Sequence, residues 1–251
     1  MIDLSGQHIL IAGGSRGIGR TNALMAAGAG AAVSVNYVRD RAAAEETVAR
    51  IEAGGGRAVA VQADISEEGA AERAIGAATD RLGPLTGLVI SAGIFEGMPI
   101  EEMSLAFWDR TMRINLNGTF LAVRAAVPHL RRHGGGSIVI YTSTAGQRGS
   151  SVFSAYATSK GAQILFMRSM ARELAPDRIR VNCVAPGWTE TDMSRDAMDA
   201  EGRDGIIASI PLGRIGQPED PAAAACFLLS PLAAFITGST ITVDGGFDMR
   251  G

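Results

Sequence analysis

Lysine is all but absent from this chain. Of its 23 cationic side chains, one is lysine, at position 160, and the other 22 are arginine. An arginine-favouring genome accounts for the depletion but not for the survivor. Arginine covers most surface work of lysine, yet it cannot move its pKa into a useful range or act as a compact, rotatable ammonium. Cysteine is scarce too. Cys183 and Cys226 are the only two, which excludes a disulfide framework, and no C-x-x-C or His-rich spacing suggests a metal site. Both are expected to be reduced core residues. Positive charge is not in excess: the formal net charge is -3, which argues against nucleic acid or an anionic membrane as partner. No apolar run approaches the roughly 18 residues of a membrane span. The opening residues, Met1 to Gly6, lack the basic-then-apolar pattern of a secretory signal, so the expected compartment is the cytoplasm.

What is present is regular. Hydrophobic residues make up 47% of the 251 and charged residues 20%, enough to bury a substantial core. Short β-branched runs at 8–12, 32–36, 58–62, 87–91, 137–142, 180–185 and 240–243 alternate with alanine-rich helical stretches such as 42–53, 67–82 and 155–175. Several runs are apolar on both faces, as burial between two helical layers requires. The pattern predicts one doubly wound α/β domain spanning 1–251, with seven parallel strands and helices on both faces. No proline- or serine-rich linker divides it. The least regular stretch, 188–210, mixes charge, glycine and methionine and is expected to be a mobile substrate loop with short helices.

The first strand runs into Ala12-Gly13-Gly14-Ser15-Arg16-Gly17-Ile18-Gly19 and then a helix. The spacing is not a literal G-x-G-x-x-G, because position 22 is Asn22. The context still suits a tight turn that lets backbone approach a diphosphate at a helix N-terminus, although a glycine cluster can also be a plain strand-to-helix turn. An acidic residue usually ends the second strand where the ribose hydroxyls of NAD are held. Here Asn36 stands there, followed by Tyr37, Val38 and Arg39. With Arg16 it offers two guanidinium groups for a 2′-phosphate, so NADP is the expected cofactor, with NAD possible. Asp64 either accepts from adenine or caps the next helix.

Tyr156-Ala157-Thr158-Ser159-Lys160 places a phenol and the single ammonium four residues apart, neighbours on one helix face. A nearby cation favours the phenolate, so Lys160 is expected to lower the tyrosine pKa toward the range of proton exchange with a substrate oxygen. Ser143 follows the fifth strand at the carboxyl edge, where ligands bind in open α/β sheets; alone, a serine there is ordinary turn chemistry.

With these residues in order, the chain resembles the short-chain dehydrogenase/reductase family over nearly its whole length. The family's T-G-x-x-x-G-x-G appears as Ala12 to Gly19, with alanine for the threonine, and its N-N-A-G as Ile90-Ser91-Ala92-Gly93. Its asparagine matches Asn115 in Arg113-Ile114-Asn115-Leu116-Asn117-Gly118, its serine Ser143 and its Y-x-x-x-K Tyr156 and Lys160. Pro186-Gly187-Trp188-Thr189-Glu190-Thr191 matches the segment facing the nicotinamide, and the 236–246 region the last strand. The resemblance implies a Rossmann-type fold and hydride transfer between a nicotinamide and a secondary alcohol or ketone. Tyr156 would be the acid or base, Lys160 its activator and a ribose ligand, Ser143 the holder of the reacting oxygen, and Asn115 the holder of a water linking the lysine to solvent. Cofactor contacts are implied for Gly13, Ser15, Arg16, Gly17, Ile18, Gly19, Asn36, Tyr37, Arg39, Asp64, Ile65, Ala92, Gly93, Tyr156, Lys160, Pro186, Gly187, Thr189 and Thr191. A homotetramer is implied, with the apolar 222–229 helix and the last strand as the expected interface.

Within that class the sequence leaves a 3-oxoacyl-carrier reductase and a sugar or polyol dehydrogenase open. Arg131, Arg132 and Arg148 are candidates for a basic patch that would meet a carrier protein. From another class, a nucleotide-binding regulator that lost catalysis is disfavoured by the complete set of Asn115, Ser143, Tyr156 and Lys160. His8, His129 and His133 fall outside the motifs and are assigned no catalytic role. Trp188 either lines the substrate pocket or packs under the loop, while Met193 and Met198 offer flexible apolar contacts.

Overall fold

The structure, a computed structural model, describes residues 2–249; Met1, Arg250 and Gly251 lie outside it. Strand and helix alternate from one end to the other. The first half runs β1 (His8–Ala12), α1 (Gly17–Gly28), β2 (Ala32–Tyr37), α2 (Arg41–Ala53), β3 (Arg57–Gln62), α3 (Ala70–Leu82) and β4 (Gly87–Ile90). The second runs α4 (Leu105–Met112), α5 (Gly118–His133), β5 (Gly136–Tyr141), α6 (Thr144–Arg148), α7 (Ser154–Leu174), β6 (Ile179–Pro186), α8 (Asp192–Glu201), α9 (Arg203–Ser209), α10 (Glu219–Leu229) and β7 (Thr240–Val243). The strands form one parallel sheet in the order β3-β2-β1-β4-β5-β6-β7.

Side chains alternate across the sheet and so build two cores. From β1, Leu10 and Ala12 point to one face, where α3, α5 and α7 pack; Ile9 and Ile11 point to the other, under α1, α2 and α10. All five residues of β1 are buried, which is why its sequence reads as a continuous apolar run. Cys183 belongs to the first core and Cys226 to the second, both free thiols. His8, at the start of β1, is a core residue whose ring nitrogens meet the Gly83 carbonyl and Ser34 Oγ, each at 2.8 Å.

The helix expected over 67–82 begins later, at Ala70. Asp64 accepts from the backbone N–H and the hydroxyl of Ser66, and Gly69 takes a φ of +75°, so residues 64–69 turn before the helix can start. The irregular 188–210 stretch holds two helices, α8 and α9, around a small core of Met198, Ile206, Ile210 and Ile215. Its base is pinned where Thr189 bridges Gly216, and Arg203 ties it down by a forked ion pair to Glu190. Among the described residues no helix is long and apolar enough to cross a membrane.

The strand order reverses direction between β1 and β4. In open sheets of this kind the crevice at that switch point, beyond the carboxyl ends, is where ligands lie.

Candidate active site

A cavity of about 1020 Å³ opens along that carboxyl edge, from the turn after β1 to the start of α7. At one end the glycine turn is shaped by close approach. A Cβ on Gly13, whose φ is +78°, would stand 2.8 Å from the Ala92 nitrogen, and one on Gly19 would stand 2.1 Å from the Gly13 carbonyl oxygen. Gly13 therefore lets the turn touch the segment after β4, and Gly19 lets α1 lie against the turn. Gly19 sits behind the cavity wall rather than on it: its contribution is packing. Gly19→Ala is expected to force that carbonyl aside and destabilise the fold by about 1–3 kcal/mol, with nucleotide affinity lost in parallel, which thermal melts and nucleotide titration would read. Arg16 caps α1 in extended conformation with no side-chain bond to the helix, so the first-turn N–H groups point into the cavity uncapped.

Gly13, Ser15, Arg16, Gly17, Ile18, Asn36, Tyr37, Arg39, Asp64, Ile65, Ala92, Gly93, Tyr156, Lys160, Pro186, Gly187, Thr189 and Thr191 all line this one cavity. Two details qualify the nucleotide end. The Asn36 amide is buried and donates to the Val61 and Ala63 carbonyls at 3.2 and 3.0 Å, so it secures the neighbouring β3 chain instead of reaching outward. One carboxylate oxygen of Asp64 serves the Ser66 turn, and Ser66 also receives Arg113 at 2.7 Å; Asp64 does not cap the next helix, whose N-cap is Gly69 with no side-chain bond.

At the other end Ser143 caps α6, its Oγ accepting from the Ala145 N–H at 3.1 Å. α6 lies directly on α7 because Gly146 has no side chain: a Cβ there would fall 2.6 Å from the Lys160 backbone. That contact brings the turn carrying Ser143 to the start of α7, where the Ser143 hydroxyl acts on the Tyr156 phenol. Lys160 is buried one turn further on, its Nζ donating to the Tyr141 carbonyl at 2.8 Å and lying 5.7 Å from the Tyr156 ring centre. The expected drop in the tyrosine pKa does not occur. Burial pushes the phenol up to about 12 although the Ser143 hydrogen bond draws it down, and burial pushes the ammonium down to about 8.

Asn115 is not on the cavity wall either. It sits fully buried in a single π turn, Arg113–Asn117, between α4 and α5. Its Oδ1 accepts from the Ile94 N–H at 2.8 Å, and its Nδ2 donates to the Ile94 carbonyl and to Ser159 Oγ, both at 3.0 Å. Its own carbonyl accepts from Thr119 Oγ1 and Gln163 Nε2. The residue expected to hold a water thus clamps the chain after Gly93 to α7 by direct bonds.

The basic patch dissolves. Arg131 and Arg132 close α5 just before β5 begins, at the opposite edge of the sheet from the cavity, and Arg131 pairs with Asp177 at 2.7 Å. Arg148 alone lines the cavity, 4.4 Å over the Phe247 ring. Trp188 does both things foreseen for it: it lines the cavity and packs on the core under α8 and α9. Sequence reasoning missed Phe95 and Phe153, which stack face to face beside Tyr156 with ring centres 4.4 Å apart. No motif or period marks them.

The sheet order, the switch-point cavity and the glycine turn define a Rossmann-type nucleotide-binding fold. The family described as Enoyl-(Acyl carrier protein) reductase matches residues 12–248. A 3-oxoacyl-[acyl-carrier-protein] reductase of Synechocystis sp. is 39% identical over 250 residues, covering 99% of this chain and 100% of that protein. Glucose 1-dehydrogenase 2 of Bacillus subtilis is 36% identical, covering 98% and 96%. The crystal structure of a gluconate 5-dehydrogenase from Burkholderia cenocepacia in complex with NADP and tartrate superposes with a TM-score of 0.93 at 33% identity, over 98% of this chain and 96% of that one. The chain belongs to the short-chain dehydrogenase/reductase family and is an oxidoreductase of that family.

Proposed function

We propose that this protein is an NADPH-dependent carbonyl reductase in which Tyr156 is the general acid. The observation that carries the reading is the sharing of one cavity by the glycine turn, Arg16 and Arg39 at one end and Ser143, Tyr156 and Lys160 at the other. Among the described residues neither Arg16 nor Arg39 is in an ion pair, so both guanidinium groups are available to a 2′-phosphate. The uncapped first turn of α1 fits a diphosphate, and Gly13 lets the turn before it pack against the Ala92 backbone. A bound reduced nicotinamide would supply a hydride to the carbonyl carbon.

The chain's own groups would do the rest. Ser143 Oγ and Tyr156 Oη converge and would hold the carbonyl oxygen by two hydrogen bonds. Tyr156, its phenol near 12, is protonated at neutral pH and so is suited to give its proton to the oxygen as negative charge develops there. In the reverse direction the same oxygen, as the phenolate, would take the proton back from the alcohol. Lys160 would place positive charge beneath the ring and, near the Gly93 backbone, within reach of a ribose. Asn115 would act by positioning, holding residues 93 and 94 against α7.

Reductases of carrier-bound acyl groups and sugar dehydrogenases are both among the relatives. The placement of Arg131 and Arg132 far from the cavity weighs against a carrier-protein dock. We also propose a cytoplasmic homotetramer: β7 has a neighbour on one side only, and Leu232 and Phe235 beside it are exposed.

The test is a cofactor and ketone panel followed by absorbance of the reduced nicotinamide. NADPH is expected to outperform NADH, and Arg39→Ala to narrow the difference; a preference for NADH would overturn the cofactor assignment. kcat/KM for reduction is expected to fall as pH rises through about 8, because Lys160 loses its charge there. A profile flat through that range would remove the lysine from the mechanism.

A further inference from the structure

We infer that the carbonyl carbon this enzyme reduces carries a flat, apolar substituent, an aryl group above all; the inference rests on the carbonyl-reductase reading and names its substrate class. Beside the Ser143 and Tyr156 hydroxyls the cavity wall is aromatic. Phe95 meets Tyr156 edge to face at 4.8 Å, stacks on Phe153 at 4.4 Å and 7°, and meets Trp188 edge to face at 6.3 Å. Three separate segments of chain thus bring three rings to one place.

The backbone is shaped to hold them there. Val152 sits at φ +67°, a conformation costly for a β-branched residue, and its carbonyl is fixed by the Met98 N–H at 2.8 Å. That turn delivers Phe153 under Phe95. Across from it, Gly97 leaves room for the ring: a Cβ there would stand 2.9 Å from Phe153. The rings also pack without a substrate, but the same three side chains line the cavity beside the reacting hydroxyls, so a bound molecule meets them.

The three rings themselves offer one hydrogen-bonding group, the indole N–H of Trp188, although Ser150, Ser151 and Arg148 line the same cavity. A sugar or polyol brings a hydroxyl on each neighbouring carbon, and each one desolvated against phenyl rings without a partner loses affinity. A planar apolar substituent instead gains area and edge or face contacts. Arg148, one of the cations lining the cavity, lies over Phe247, a further aromatic ring of the lining.

The experiment uses the full-length enzyme with NADPH. Initial rates are measured on acetophenone, butanone and an acetoacetyl thioester, and in the reverse direction with NADP on glucose and ribitol. Acetophenone is expected to exceed butanone in kcat/KM by about tenfold or more, although its conjugated carbonyl is intrinsically the poorer hydride acceptor. Phe95→Ala is expected to shrink that ratio toward one, and Phe153→Leu, a milder change should the first variant fold poorly, to shrink it in part. Faster turnover of the thioester, of butanone or of either polyhydroxy substrate would overturn the aryl assignment while leaving the reductase reading standing. No turnover of any of the five, with nucleotide still bound, would overturn both.

Discussion

Tyr156→Phe is expected to lower kcat for ketone reduction by about 10²–10⁴-fold, the usual contribution of a positioned general acid, while leaving the affinity for NADPH nearly unchanged. The substitution deletes one atom. The ring that meets Phe95 at 4.8 Å stays, so the cavity wall and the cofactor end, which lie on other segments, keep their shape. What goes is the proton held by a phenol near 12. Reduction then has to draw its proton from solvent, across a site whose remaining donor is the Ser143 hydroxyl. Nucleotide titration by fluorescence and steady-state rates separate the two effects, and near-normal turnover with intact binding would sink the mechanism. Ser143→Ala removes a holder of the oxygen and leaves the acid, so its loss is expected to be smaller.

Why the phenol is so high could not be read from the chain. The spacing of Tyr156 and Lys160 places both on one face of α7, and that much was legible, as was the sheet: a strand buried on both sides, such as β1, announces itself as an unbroken apolar run. Spacing says nothing about depth. Burial acts on both partners, raising the phenol and lowering the ammonium. Asn115 makes the same point, because a motif reads alike whether its side chain faces the cavity or the layer behind it. Arg131 and Arg132 looked like neighbours of the site because charge can be counted along a sequence. The direction of α5, which carries them to the far edge of the sheet, cannot be counted in that way. The aromatic wall was hidden for a third reason: Phe95, Phe153 and Trp188 follow β4, precede α7 and follow β6, and only the fold brings those ends together.

The buried lysine supplies the second large effect, and its sign differs between stability and activity. Folding moves Lys160 from an ordinary value of 10.5 to about 8. At about 1.4 kcal/mol per unit, the charged form is held in the fold at a cost of about 3 kcal/mol. The direction with pH follows from proton counting. Below about 8 the lysine is charged in both states and the whole cost is present; between about 8 and 10.5 the unfolded chain binds more protons, so stability rises with pH; above that the cost is gone. Lys160→Met is therefore expected to inactivate the enzyme and yet to raise its thermal midpoint at neutral pH, by about 2–4 °C for each kcal/mol released. The gain is reduced by the Tyr141 carbonyl, which loses its 2.8 Å donor. Lys160→Arg is expected to inactivate the enzyme without that gain in stability: it keeps a charge, but the space is closed by Gly146 against the lysine backbone and by Gly93, whose Cβ position lies 3.7 Å from Nζ. A planar fork forced into that space overpacks it, lowering stability and failing to restore turnover. Melting curves of both variants across pH, read beside their rates, test the account. An active arginine variant, or a methionine variant less stable than the parent at neutral pH, would overturn it. That outcome would leave the single lysine of an arginine-rich chain without the role that its burial, its bond to Tyr141 and its distance from Tyr156 together assign.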